Sequence, residues 1–189
     1  MNLPDIDIDF ADRNEALALL KHVPARLKNR KHNTGVYFHR VPNNRFTSIC
    51  TVEHSDADQM GFFKLDLLNL SIYKDVKDDN HLHDLMNKEP IWELLEHKDF
   101  VDQVFHLSGH DGLLKKLKPR TVEQLAATLA IIRPAKRYLQ DKDWSTIMDQ
   151  VWVKPVNDNK AYYFKKAHAL SYAMVVVIHM NLICEQLGY

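Results

Sequence analysis

The chain opens on a strict alternation of apolar and acidic positions, Leu3-Pro4-Asp5-Ile6-Asp7-Ile8-Asp9-Phe10. A period of two is the strand pattern. It predicts a strand over about 5–10, with Asp5, Asp7 and Asp9 on one face and Ile6, Ile8 and Phe10 packed into a core on the other. Asp12 stands where an N-cap would open a helix over about 12–22. Val36–Val41 and Phe46–Val52 are rich in branched and aromatic residues and flank Pro42-Asn43-Asn44-Arg45, so this stretch predicts a hairpin. A further strand is expected at about 62–67. Beyond it the pattern turns helical, near 70–87, 91–96, 110–117, 121–132 and 143–150, with a long segment at about 167–187. Strands first and helices after imply an α+β fold: a small sheet over 1–70 and a helical region over 71–189. Val153–Asn159 is the one linker-like stretch.

Within the last helix, Ala173–Ile178 is apolar throughout. His168, Ser171, His179 and Asn181 interrupt the run, whereas a membrane span needs about 20 mostly apolar residues, so a buried core helix is expected and no membrane partner. The 189 residues are 46% hydrophobic and 26% charged, enough for a sizeable core. Cys50 and Cys184 are too few for a disulfide framework, and with no apolar leader at the amino terminus a cytoplasmic setting is expected.

The formal net charge is zero, yet the charges are clustered. Basic residues gather in Arg26–His32, in Lys115, Lys116, Lys118 and Arg120, in Arg133, Lys136 and Arg137, and in Lys165 and Lys166. Acidic residues gather in Asp75–Asp84 and Glu89–Asp102. The expectation is one basic side for a polyanion and an acidic side away from it.

Three carboxylates on one strand face repel one another and are costly unless cations neutralise them. A calcium loop of the D-x-D-x-D-G type is excluded, because Phe10 and Ala16 stand where it needs glycine and glutamate. Lys64 and Asp66 lie two residues apart in a second hydrophobic run and would share a strand face. Carboxylates from neighbouring strands are what a two-metal phosphoryl-transfer centre needs. Asp5, Asp7 and Asp66 are the candidate ligands and Lys64 a point charge for a triphosphate. Asp9 is secondary. The paired histidines His81/His83 and His106/His110 lack accompanying cysteines and are read as surface or core residues rather than zinc ligands.

These residues fall in motifs that resemble, in order, those of the bacterial replicative DNA polymerase III alpha subunit, the C family. Pro4–Phe10 resembles its PDxDxDF segment, and Lys31-His32-Asn33-Thr34-Gly35-Val36 its KHAGGV. Lys64–Leu70 resembles KFDFLGL. Val104–Leu107 with Leu114–Pro119 resembles VFQLES…LIKRLKP, Ala130–Pro134 resembles ALFRPGP, and Phe164–Ala173 resembles FNKSHSAAYA. The resemblance implies a small mixed sheet like the polymerase-beta-type nucleotidyltransferase palm, followed by helical fingers. It also implies a miniature, phage-type DNA-directed DNA polymerase acting on primer-template DNA and dNTPs with two Mg²⁺ ions, Mn²⁺ being an alternative. Asp5, Asp7 and Asp66 would be catalytic and metal-binding; Lys64, Arg133, Lys165, Lys166, His168, Lys31 and His32 would bind nucleotide or DNA. The family's upstream Gly-Ser triphosphate motif is not matched, Ala135-Lys136 replaces Gly-Pro, and Asn69 replaces a glycine. Two other readings therefore stand beside the enzyme: a non-catalytic replication accessory that binds DNA or a polymerase, and one half of a split polymerase whose triphosphate segment another replication protein supplies.

Overall fold

Residues 6–154 and 164–189 are described by the computed structural model of the chain, which divides into two compact units, Met1–Asp75 and Val76–Tyr189. Asp5 and the greater part of the linker-like stretch, residues 155–159, lie outside the described residues. The first unit contains strands Ile6–Phe10 (β1), Val23–Leu27 (β2), Arg30–Tyr37 (β3) and Leu65–Asn69 (β4), with helices Arg13–Leu19 (α1) and His54–Gln59 (α2). The sheet order is β1-β4-β3-β2. β1 runs parallel to β4, while β3 is antiparallel to both β4 and β2. The fold is α+β on a mixed sheet, as the pattern implied.

Asp12 caps α1 as expected, accepting the Asn14 amide at 2.9 Å. The helix stops at Leu19 rather than 22, because β2 begins at Val23 and Pro24 holds its predecessor extended. The expected hairpin is displaced by one strand. It joins β2 and β3 through Lys28 and Asn29, with Lys28 in the left-handed region at φ 55°. Phe46–Val52 forms no strand. The Asn44 side chain accepts the amides of Phe46 and Thr47 at 2.8 and 3.1 Å, and Ser48 turns left-handed at φ 58°. Those local bonds compete with a ladder and close a tight loop instead.

The apolar face of β1 also departs from expectation. Phe10 packs with Leu17, Val36 and Leu67, but Ile6 and Ile8 stay 38% and 37% exposed. β1 is an edge strand, and the seven-residue α1 packs over β4.

The second unit is helical: Asp79–Asn87 (α3), Lys98–Val101 (α4), Asp111–Leu117 (α5), Val122–Ile132 (α6), Trp144–Gln150 (α7) and Lys166–Leu187 (α8), with 3₁₀ turns at Trp92–Glu96 and Pro134–Leu139. The helix expected over 70–87 is split. Ser71–Asp75 is a 3₁₀ turn, and Asp78 restarts the chain as the N-cap of α3 by accepting the His81 amide at 2.8 Å. The core forms around α6 and α8, with Leu125, Ile131, Val176 and Met180 fully buried or nearly so. α8 is long and apolar enough to cross a membrane by length and composition, but 61% of its most apolar window is buried inside the structure. Asn181, one of the polar interruptions, is buried and donates to the Leu85 and Lys88 carbonyls at the end of α3.

Candidate active site

The parallel pairing of β1 with β4 sets Asp7 directly opposite Asp66. Adjacent strands lie about 4.8 Å apart, so the two carboxylates rise side by side from one sheet face, with Asp9 two residues further along. Asp66 is 8% exposed. Its Oδ1 accepts the Thr34 hydroxyl at 2.6 Å, and its Oδ2 is paired with the Lys64 ammonium. Burial acts to raise the Asp66 pKa, but the hydrogen bonds from Lys64 and Thr34 and the charge of Lys64 outweigh it, holding the carboxyl below the usual range. Asp9 is pushed the other way, by desolvation and then by the charge of Asp7.

The segment that brings Thr34 to Asp66 is the KHAGGV-like stretch. Pro24 pairs with Val36 and Arg26 with Lys31, so residues 32–35 bulge from the ladder opposite Ala25 alone. His32 organises that bulge: its Nδ1 accepts the amides of Gly35 at 2.8 Å and Thr34 at 3.3 Å. An accepting Nδ1 carries no proton, so the ring is neutral with its hydrogen on Nε2. Its pKa is lowered accordingly, by burial first, against the opposing pull of Asp66 at 3.7 Å. His32 therefore shapes the turn and is not a cation for phosphate in this conformation. Lys31 is exposed on β3, opposite Arg26.

Gly35 is required by close approach. A Cβ there would lie 2.7 Å from Lys64 Cδ and 3.0 Å from His32 Nδ1, so glycine lets the Lys64 stem cross the strand to reach Asp66.

Arg13 has no counterpart among the residues the motifs single out. It is buried, and its Nη1 donates to the carbonyls of Asn33 at 2.6 Å and Leu67 at 3.0 Å, tying the bulge to β4. Asn69 accepts the Arg13 amide at 2.8 Å, tying the start of α1 to the end of β4. The one sequence signal was an arginine in the first turn of a helix, where the macrodipole does not favour it.

Arg133, Lys165, Lys166 and His168 belong to the second unit. Arg133 closes α6 and lays its guanidinium over the Phe164 ring at 5.4 Å, with Nε buried and unpartnered among the described residues. It borders a cleft of about 260 Å³ with His106, Ser108 and His110. Lys165 is the N-cap of α8, and Lys166 and His168 lie in its first turn, which holds no acidic residue. Two lysines at the positive end of a helix are electrostatically disfavoured.

Four further basic residues of the second unit, Lys116, Lys118, Arg120 and Lys136, are spent on structure. Lys136 is buried and its Nζ donates to the Gln150 and Val153 carbonyls, each at 2.6 Å, closing the end of α7. Lys118 pairs with Glu96 at 2.7 Å, Arg120 with Glu96 at 2.5 Å, and Lys116 with Asp141 at 2.5 Å. The acidic 89–102 stretch thus interleaves with the basic 115–120 stretch, and the expected separation into a basic and an acidic side does not hold there.

Compared with protein-family models the chain matches none, and no curated protein matches it by sequence.

Proposed function

We propose that this chain is a reduced DNA-directed DNA polymerase that adds nucleotides to a primer 3′-hydroxyl. The observation that carries the reading is the register that sets Asp7 against Asp66. Hard carboxylate oxygens on one face are the donor set a divalent cation prefers, and Asp66 is held ionised. Asp5, Asp7 and Asp66 would hold two Mg²⁺ ions, or Mn²⁺, whose chemistry is to activate the attacking hydroxyl and neutralise the triphosphate. Thr34 orients Asp66 for that role, since each carboxylate oxygen keeps a second lone pair while bonded to a hydroxyl. Lys64 neutralises Asp66 in the absence of other cations and can turn its flexible ammonium to a triphosphate. Lys31 is an exposed cation available to DNA. In the second unit, Arg133, Lys165, Lys166 and His168 supply charge for DNA or triphosphate binding. The reading includes a phage-type source and a cytoplasmic setting.

A second reading, one half of a split polymerase, is favoured by the edge position of β1 and the exposure of Ile6 and Ile8. An open edge with apolar side chains is where a strand from a partner replication protein adds. Primer extension with the purified chain, dNTPs and Mg²⁺ tests both. Extension that EDTA abolishes supports the self-sufficient enzyme; primer-template binding without extension favours the split form or a non-catalytic accessory.

A further inference from the structure

Between Lys21 and Val52 the chain carries seven Lys and Arg and no Asp or Glu, although the whole chain has 25 of each sign. The metal-centre reading uses only Lys31 of these. Of the others, Arg26 and Arg30 line a hollow of about 280 Å³ by the β2–β3 turn, with Asn29, Asn44, Thr47 and Thr51 beside an edge formed by Ile49 and Cys50. The six polar side chains each offer a hydrogen-bond donor. Arg26 is locked in place, with Nε donating to the Lys28 carbonyl at 2.6 Å and Nη1 to the Thr51 carbonyl at 2.8 Å; these bonds use two of its five N–H groups. The nearest acid in the chain, Glu53, is turned to the Lys28 amide at 2.5 Å.

Between the lining residues Asn44 and Thr47 stands Phe46, 98% exposed. A phenyl ring left wholly in water is unusual in itself; this one is held on a stiff loop. Asn44 fixes the loop through the amides of Phe46 and Thr47, its own amide donates to the Ile49 carbonyl at 2.9 Å, and its carbonyl accepts the Ser48 amide at 2.8 Å. Arg45 precedes the ring and is exposed.

We infer that this hairpin end is a binding site for single-stranded nucleic acid, in which the hollow takes a backbone phosphate and Phe46 stacks a base. An exposed aromatic on a fixed loop, next in sequence to residues that line a basic hollow, is the combination such binding uses, because every base has a π-face and every nucleotide a phosphate. A duplex keeps its bases stacked on one another and offers Phe46 nothing to cover. The site needs neither metal ions nor transfer chemistry, so it stands independently of the polymerase reading.

The test is fluorescence anisotropy with labelled oligo-dT and oligo-rU of about 12 nucleotides, in EDTA, titrated with the full chain between about 50 and 200 mM salt. The two strands separate a DNA from an RNA preference. Phe46→Ala is expected to weaken binding by about five- to a hundredfold with the salt slope unchanged, and Phe46→Trp to retain it. Arg30→Ala should weaken binding and reduce the slope by about one. Unchanged thermal unfolding of the three variants shows that they remain folded, as their exposure implies. Equal affinity of wild type and Phe46→Ala for the single strands would overturn the inference.

Discussion

Asp66 is a buried carboxylate kept ionised by its neighbours, and its surroundings make separable predictions. With Lys64→Met, burial is opposed mainly by the Thr34 hydroxyl, so the Asp66 pKa is expected to rise, read by ¹³C carboxyl NMR titration. The wild-type group, depressed in the folded state, contributes stability above the ordinary carboxylate range that is lost as pH falls through its folded pKa. That acid-side loss should be smaller in the variant. Asp9 has the opposite sign. Its pKa is raised on folding, so its ionised form opposes folding at neutral pH and the penalty vanishes in acid. Asp9→Asn should therefore raise the melting temperature slightly at pH 7 and leave it unchanged at about pH 3, below the ordinary carboxylate value. Gly35→Ala would press a methyl group onto Lys64 and His32. Displacing two side chains costs about 1–3 kcal/mol in urea unfolding, and Lys64 should lose its hold on Asp66.

At the scale of elements, what the sequence made legible was what local chemistry decides. The strand at the opening alternation and the cap at Asp12 read correctly, as did the core character of α8, since each depends on neighbours within a few residues, whereas the burial of Ile6 and Ile8 depends on what packs over β1 and did not follow. The hairpin was misplaced because Phe46–Val52 has strand composition, while the Asn44 side chain, a competitor invisible to periodicity, bonds the backbone first. The bulge at 32–35 was beyond reach as well. It depends on Arg13, about twenty residues upstream, and on β4, thirty residues downstream. Lys136 read as a surface cation because a lysine capping the end of α7 has no local signature. The interior of the helical unit makes its own prediction. Met180 is fully buried among residues of α6 and α8, so Met180→Ala should cost about 2–5 kcal/mol by denaturant unfolding.

For the whole molecule, zero net charge conceals two kinds of surface. Basic residues at 116–120 are neutralised by acids of the same unit, whereas the 21–52 stretch has no internal acid to answer it. A polyanion should therefore be attracted to the 21–52 stretch, while the Asp7–Asp66 face of the same unit repels it unless cations neutralise the carboxylates. Nucleotide transfer on this face, as proposed, is checked by single-nucleotide addition to a primer-template with Mg²⁺, comparing wild type with Asp7→Asn, Asp66→Asn and Asp9→Asn. The account predicts incorporation that falls by about 10³-fold or more in Asp7→Asn and Asp66→Asn, and stays within about tenfold of wild type in Asp9→Asn. Incorporation by Asp66→Asn at the wild-type rate would contradict it.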